Sequence, residues 1–461
     1  MSASQKPFNF GLLLHAPHTI GTTSGSPRRN PFAIDQIASY ARDIENSGFT
    51  LLVLDDELDS SAVKSGAKNG LENFTQAAYI ACKTRTLGVA VSANTNYVEP
   101  FSLARLLASL DYVSHGRAAW LVTDSESGNA AANHQRAATN AASRHARREE
   151  SLAVVNRLFD TWEDDAFIRD KASGEFVDVD KVHFLEHRGA HFSVKGPLNV
   201  ARPPQGHVPR IHFLTPQNAH ARGALAYDLL IASAIADSDI AALHASGLIW
   251  KLLVPFIADD IAVGRQQLIA HVDAIALDDD LHGHRWVSTS AENETPLAPV
   301  GQRNLAALGH ALGENLSNRD SQELVDADVL QRLNSYGKSL LAIALERFRY
   351  SGINRDATAL RWLDLLRAHA DRREVFVGTP ADWECALQAL SAASSPYSGV
   401  LLAPAALHYL DASFAARLLP AAFRSTHNHD NRESRARHPQ LRDALNLPRP
   451  PNSFVVSTKS A

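Results

Sequence analysis

A closed α/β barrel of eight parallel strands, the TIM-type (β/α)8 architecture, is the fold this sequence predicts. Three observations predict it. Short, nearly continuous apolar runs recur along the 461 residues, the pattern of parallel strands buried on both faces. Segments with apolar residues three and four apart, the helical spacing, lie between many of them. The runs number eight, which closes a barrel, whereas an open doubly wound sheet usually has fewer.

Phe8–Leu14 is the first strand. Asn30-Pro31 then offers a helix start, with Asn as N-cap and Pro in the first turn. Ile34, Ile37, Ala41 and Ile44 follow on one helix face, and Gly48 ends that helix. Thr50–Leu54 is the second strand. The alternation continues with a helix over Leu71–Cys82, a strand over Leu87–Ser92, a helix over Phe101–Val113 and a strand over Ala118–Val122. Pro209–Leu214, Asp228–Ser233, Leu248–Phe256 and Gly399–Ala403 complete the set of eight.

Two intervals exceed ordinary barrel loops. One, over 123–208, holds a long helix around Arg147–Trp162 and then a Gly- and His-bearing extended segment. The other, over 258–398, holds a polar patch from Ser288 to Pro299 and helices around Leu340–Phe348 and Leu360–Ala370. In a barrel enzyme such insertions sit over the C-terminal ends of the strands and shape substrate choice. The expected organisation is one barrel domain over 8–424 and a polar C-terminal extension over 425–461. The charged stretch Ser425–Arg437 reads as a solvated extension or an intersubunit strap.

A net charge of −5 gives no electrostatic case for nucleic acid or an anionic membrane as partner. The two cysteines, Cys82 and Cys385, sit among apolar and helix-forming neighbours and read as buried free thiols rather than a disulfide. The N-terminus carries no signal-peptide core, and no run of 18 or more apolar residues follows. The expected location is the cytoplasm. There is no Gly-x-Ser-x-Gly elbow, no Walker loop and no Gly-x-Gly-x-x-Gly after the first strand, which argues against hydrolase, nucleotidase and Rossmann readings. His183, His187 and His191 have the i, i+4, i+8 spacing that places imidazoles on one helix face. The neighbouring Arg188-Gly189 and Gly196-Pro197 favour extended or turning backbone, so no metal is expected.

The motif Asn94-Thr95-Asn96-Tyr97-Val98-Glu99-Pro100, with Leu103-Ala104-Arg105, Ser109-Leu110-Asp111 and Gly116-Arg117, resembles the luciferase-like flavin-dependent monooxygenases. The resemblance is to the branch that includes the nitrilotriacetate and dibenzothiophene-sulfone monooxygenases. Trp162-Glu163-Asp164-Asp165, Asp180-Lys181-Val182-His183, Gly196-Pro197-Leu198-Asn199 and Phe376-Val377-Gly378-Thr379-Pro380 extend it over most of the chain. It implies a luciferase-like barrel and a homodimer or pair of dimers. It also implies reduced FMN delivered by a separate NAD(P)H-dependent flavin reductase, and oxygenation of a small organic or organosulfur substrate.

By the same resemblance, Asp56 and Thr95 face the flavin ring, while Arg144, His145 and Thr215 face its phosphate. Read without it, Asp56 is a solvated loop acid and Thr95 a loop hydroxyl satisfying backbone. The chain also departs from the family. Asp55 and Glu57 flank Asp56 where the family has a small residue and Gly. Leu121 stands where the family has an Asn, Ala141 where it has a His and His145 where it has a Tyr. Pro216, which has no N–H to donate, falls in its Gly-Ser-Ser turn. These departures predict weak FMN binding. They keep two further readings open: a non-catalytic paralogue or partner subunit on the same barrel, and an enzyme using a deazaflavin-type cofactor.

Overall fold

The computed structural model describes residues 8–15, 34–56, 71–124, 128–136, 139–214, 227–233, 248–263, 323–351, 359–370, 374–404 and 440–455, with scattered positions between them. The first half runs β1 (Asn9–His15), α1 (Ile34–Ser47), β2 (Leu51–Asp55), α2 (Asn73–Lys83), β3 (Gly88–Asn94), α3 (Pro100–Val113), β4 (Ala118–Thr123), α4 (Gly128–Asn133) and α5 (Ala141–Phe159). A short hairpin of β5 (His187–Arg188) and β6 (Ser193–Val194) precedes β7 (Arg210–Leu214), β8 (Leu229–Ala232) and β9 (Leu248–Ile257). Then come α6 (Ala327–Arg332), α7 (Ser335–Ser351), α8 (Trp362–Ala370), β10 (Glu374–Gly378), α9 (Pro380–Ser391), β11 (Gly399–Leu402) and α10 (Leu441–Ala444).

The strands close a barrel in the order β9-β11-β1-β2-β3-β4-β7-β8, with β8 pairing back to β9. Every pairing around it is parallel. These are the eight runs predicted from the sequence. Among the described residues, one strand of this sheet was not anticipated. β10 pairs with the upper part of β9, from Glu374↔Leu253 to Gly378↔Ile257. Glu-Val-Phe-Val-Gly holds an apolar run of only Val375–Val377 between Glu374 and Gly378, shorter than the runs that mark the other strands. The ten residues of β9 are long enough to meet β8, β11 and β10 at successive heights.

Side chains on each strand point alternately into the barrel and out toward the helices. Leu13, Val53, Ala90, Leu121, Ile211, Trp250 and Leu401 fill the interior, while Leu12, Leu52, Val91, Trp120, Leu230 and Val400 pack outward. Burial on both faces is why the strands read as unbroken apolar runs. Each such side chain contributes about 1.5–3 kcal/mol. Trp250 needs Gly11 opposite it, because a Cβ there would lie 2.7 Å from the indole. Gly48, at φ +99, ends α1 in the left-handed conformation that glycine adopts without strain.

The N-terminal end of the barrel is closed by residues 440–455. Leu441 and Leu445 of α10 pack into the interior cluster, so close to β3 that a Cβ on Gly88 would lie 2.6 Å from Leu441. Arg442 bonds to the His207 carbonyl at 2.8 Å and Asp228 at 3.1 Å. Asn452 donates to the carbonyls of Asp160 and Trp162. The stretch Ser425–Arg437 lies outside the described residues, as does the helix start at Asn30-Pro31.

The cysteine reading needs correction: Cys82 and Cys385 are free but exposed. On α2 the buried positions are Asn73, Ala77, Ile80 and Ala81, and on α9 they are Trp383 and Leu387. Cys385, two residues from Trp383, therefore points about 200° away from the core face. Helix α5 begins earlier than predicted, at Ala141, because the Asn140 side chain caps it by accepting from Ser143 N at 2.9 Å.

Candidate active site

All barrel strands run parallel, so the ends of β2, β3 and β4 emerge side by side at the C-terminal rim, where barrel enzymes place their chemistry. Asp56 leaves β2 there, half-buried, and its N–H donates to Ser92 Oγ at 2.8 Å. Asn73, buried at the start of α2, holds the same serine by donating to its carbonyl at 2.6 Å and its hydroxyl at 3.1 Å. Asp55, one residue earlier, is buried.

Thr95 opens the turn after β3 and is fully buried. Its N–H donates to the Thr123 carbonyl at 2.9 Å, and its hydroxyl turns to the same carbonyl at 3.3 Å. Its own carbonyl accepts from Arg147 Nε at 3.2 Å. Thr95 thus ties β3, β4 and α5 together. Arg147 also lies over the Phe192 ring at 4.1 Å, and burial, then Arg136 nearby, lowers its pKa from the ordinary value. Tyr97 stacks on His134 at 4.8 Å.

Arg144 and His145 lie in the first turns of α5, beside the rim. Arg144 donates to the Thr139 carbonyl. His145 Nδ1 lies 2.5 Å from Arg148 Nη2, and a guanidinium only donates, so Nδ1 accepts. Thr215 and Pro216 lie outside the described residues. Leu121 faces the barrel interior and is fully buried, whereas Ala141 is exposed. Asp56, Thr95, Arg144 and His145 are therefore all placed at one end of the barrel.

The structure adds a cluster that sequence reasoning missed. Arg148, 6% exposed, pairs through Nη1 with Asp124 at 2.7 Å. Its Nε has no hydrogen-bond partner, with Glu149 at 3.5 Å. Burial opposes its charge, but Asp124, Tyr227 and Glu149 together raise its pKa. Tyr227 is 3% exposed, stacks on His212 at 4.5 Å, and its hydroxyl has no hydrogen bond among the described residues. Burial, followed by repulsion from Arg148, pushes His212 down to about 4, so this imidazole is neutral at physiological pH. Burial also raises the Tyr227 pKa. One signal was available in the sequence: Arg148 shares the stripe of Leu152, Val155 and Phe159, and a cation in an apolar stripe requires a partner.

None of the three spaced histidines lies on a helix. His183 meets Glu163 at 2.8 Å and stacks on Phe454. His187 meets Glu150 at 3.0 Å, and Glu150 also accepts from the backbone of His191 and Phe192. Among the described residues no helix is long and apolar enough to cross a membrane.

The sequence profile of the luciferase-like monooxygenases matches residues 8–244, slightly more than half of the chain. The chain belongs to the luciferase-like monooxygenase family. Within that family it is 36% identical over 211 residues to the N-acetyl-S-(2-succino)cysteine monooxygenase of Bacillus subtilis (strain 168), covering 45% of this chain and 48% of that protein. It is 40% identical over 177 residues to nitrilotriacetate monooxygenase component A of Aminobacter aminovorans, covering 38% and 37%. The dibenzothiophene-sulfone monooxygenase of Rhodococcus erythropolis matches at 32% over 257 residues, covering 50% and 56%. The chain thus spans about half the length of these relatives, or less. EDTA monooxygenase from Chelativorans sp. BNC1 superposes with a TM-score of 0.64 at 20% identity, over 97% of this chain and all of that one. At that identity the likeness shows the shared luciferase-like barrel.

Proposed function

We propose that this chain is the oxygenase of a two-component system. It uses reduced FMN from a separate NAD(P)H-dependent flavin reductase and acts, in the cytoplasm and as a homo-oligomer, on a small organic or organosulfur substrate. The observation that carries this is the convergence of Asp56, Thr95 and the first turns of α5 at one rim of the barrel, in a chain of this family. The organosulfur class is supported by the relatives named for a thioether-bearing cysteine derivative and a sulfone.

The residues present fit the cofactor's phosphate better than its ring. Toward the phosphate, the buried Tyr227 hydroxyl and Arg148 Nε, the latter 3.5 Å from Glu149, are donors without a hydrogen-bond partner among the described residues, as an anion requires. Arg144 and His145 border the same place. Toward the ring, Leu121 offers only van der Waals contact, and Thr95 contributes a wall whose hydroxyl already serves Thr123. When bound, reduced flavin supplies the electrons that activate oxygen. The protein's own part is to hold the phosphate, to wall the reacting centre with apolar strand residues that exclude water, and to present Asp56 at the edge.

The buried Leu121 and the engaged Thr95 hydroxyl also favour a second reading, a paralogue that binds flavin too weakly to turn over. Titration with reduced FMN, then product assay with an added reductase and oxygen, separates the two. Binding at about micromolar or tighter, near −8 kcal/mol, with oxygen-dependent product, supports the oxygenase and shows that the departures at Leu121, Ala141, His145 and Pro216 leave the flavin site working. No binding at about a millimolar, near −4 kcal/mol, rejects the oxygenase and leaves the paralogue.

A further inference from the structure

We propose that Asp124 is a built-in stand-in for a phosphate: its carboxylate occupies the anion seat formed by Arg148, Tyr227 and His145, and a phosphate monoester enters only by displacing it. The inference extends the flavin reading above to residues that reading does not require.

The geometry carries it. Asp124 follows the last residue of β4 and is the outer member of the pair, its side chain 29% exposed against 8% for Arg148. The guanidinium behind it uses Nη1 for Asp124 and Nη2 for His145. Among the described residues, its Nε and the buried Tyr227 hydroxyl have no hydrogen-bond partner. Two carboxylates thus flank the seat without using all its donors: Asp124 bonds to Nη1, and Glu149 stands too far from Nε to hydrogen-bond it. A phosphate dianion has three acceptor oxygens and the charge to use them. The carboxylate cannot stay beside it, since two anions sharing one cation repel. Asp124 is tethered to the rim by its carbonyl, which accepts from Asn96 Nδ2 at 2.7 Å. Its side chain is therefore free to turn out while the backbone stays. Glu149, the other carboxylate beside Arg148, stands at 3.5 Å from Nε and faces the same seat.

The test compares FMN with riboflavin, which lacks the phosphate, and uses inorganic phosphate as a third probe. In Asp124→Asn the buried guanidinium loses the nearer of its two carboxylate partners, so FMN affinity rises relative to riboflavin by about tenfold or more, the scale of one charged hydrogen bond. Inorganic phosphate raises the melting temperature of this variant more than that of the wild type. Adding Arg148→Met to Asp124→Asn abolishes both gains. In the wild type, Tyr227→Phe lowers the FMN-to-riboflavin ratio, which keeps the proposal testable should Asp124→Asn fail to fold. An unchanged or lower ratio in Asp124→Asn, no differential effect of phosphate, or gains that survive Arg148→Met overturns the proposal. If neither flavin binds but phosphate stabilises Asp124→Asn through Arg148, the seat stands and the FMN reading falls. If both flavins bind every variant with one ratio, the FMN reading stands and the seat falls.

Discussion

At the N-terminal end of the barrel Arg117, 2% exposed, donates to the carbonyls of Ser114, Leu87, Ala81 and Thr84 and to the Thr84 hydroxyl. At the C-terminal end Arg148 is almost as deeply buried, yet its Nε and the neighbouring Tyr227 hydroxyl have no hydrogen bond among the described residues. The first site is complete within the protein. The second has donors in excess. Native folds rarely leave buried donors unused, so an excess at the rim where barrel enzymes bind their ligands marks a place built for something the chain does not itself supply.

Substitutions at the two ends should therefore differ, and the largest effect is expected at the N-terminal end. Arg117→Ala removes five hydrogen bonds and strands several buried carbonyls, a loss of roughly 3–5 kcal/mol that a urea midpoint would record. A loss below about 1 kcal/mol would mean that this end is not the more tightly satisfied one.

Asp111 supplies a second lever at the same end. Burial pushes it up to about 6, although Gln205 and Ala118 donate to it. Its folded pKa lies above the unfolded value, so its contribution is fully present below about pH 4 and is lost as pH rises through about 6. Asp111→Asn does not titrate. Its stability relative to the wild type should improve between pH 4 and pH 7, by about 1–3 kcal/mol. A pH-independent difference would refute the shift.

Asp164 should behave oppositely and more weakly. Hydrogen bonds from Arg449, and then from Arg202, hold it down to about 2. That stability is present above about pH 4 and disappears as pH falls toward 2. Asp164 is half exposed, and solvent screening limits Asp164→Asn to about 1 kcal/mol or less.

The smallest effect belongs to the rim. Tyr227→Phe deletes a hydroxyl without a hydrogen bond, so stability should be unchanged or rise by up to about 1 kcal/mol. A clear loss would show that the hydroxyl is satisfied in solution and would erase the contrast between the ends.

The barrel was legible because burial on both faces leaves a signal in consecutive residues: all eight strands show it. β10 was not, because its apolar run, Val375–Val377, is cut short by Glu374 and Gly378. At the rim, the Asn94–Pro100 motif located the end of β3 correctly. The Arg148 cluster was illegible for a different reason. Asp124, Arg148, His212 and Tyr227 come from four separate elements, and only closure of β4 against β7 brings them together. The cysteines were misread because their helical neighbours are apolar on average, while the face that each cysteine occupies is not.

The closure of the barrel by residues 440–455 bears on how the chain is made. Asp228 is paired with Arg210, at 3.0 Å, from the same stretch of chain. Its second partner, Arg442, comes 214 residues later. Asp160 waits longer still for Asn452 and Ser453, 292 and 293 residues on. During synthesis the barrel's lower mouth, with Gly88 and the interior leucines beneath it, stays open until that final segment has emerged. At translation rates of roughly 5–20 residues per second, the stretch from Leu402, the last residue of β11, to Gln440 leaves about 2–8 seconds in which a nascent barrel exposes the apolar interior that α10 later covers.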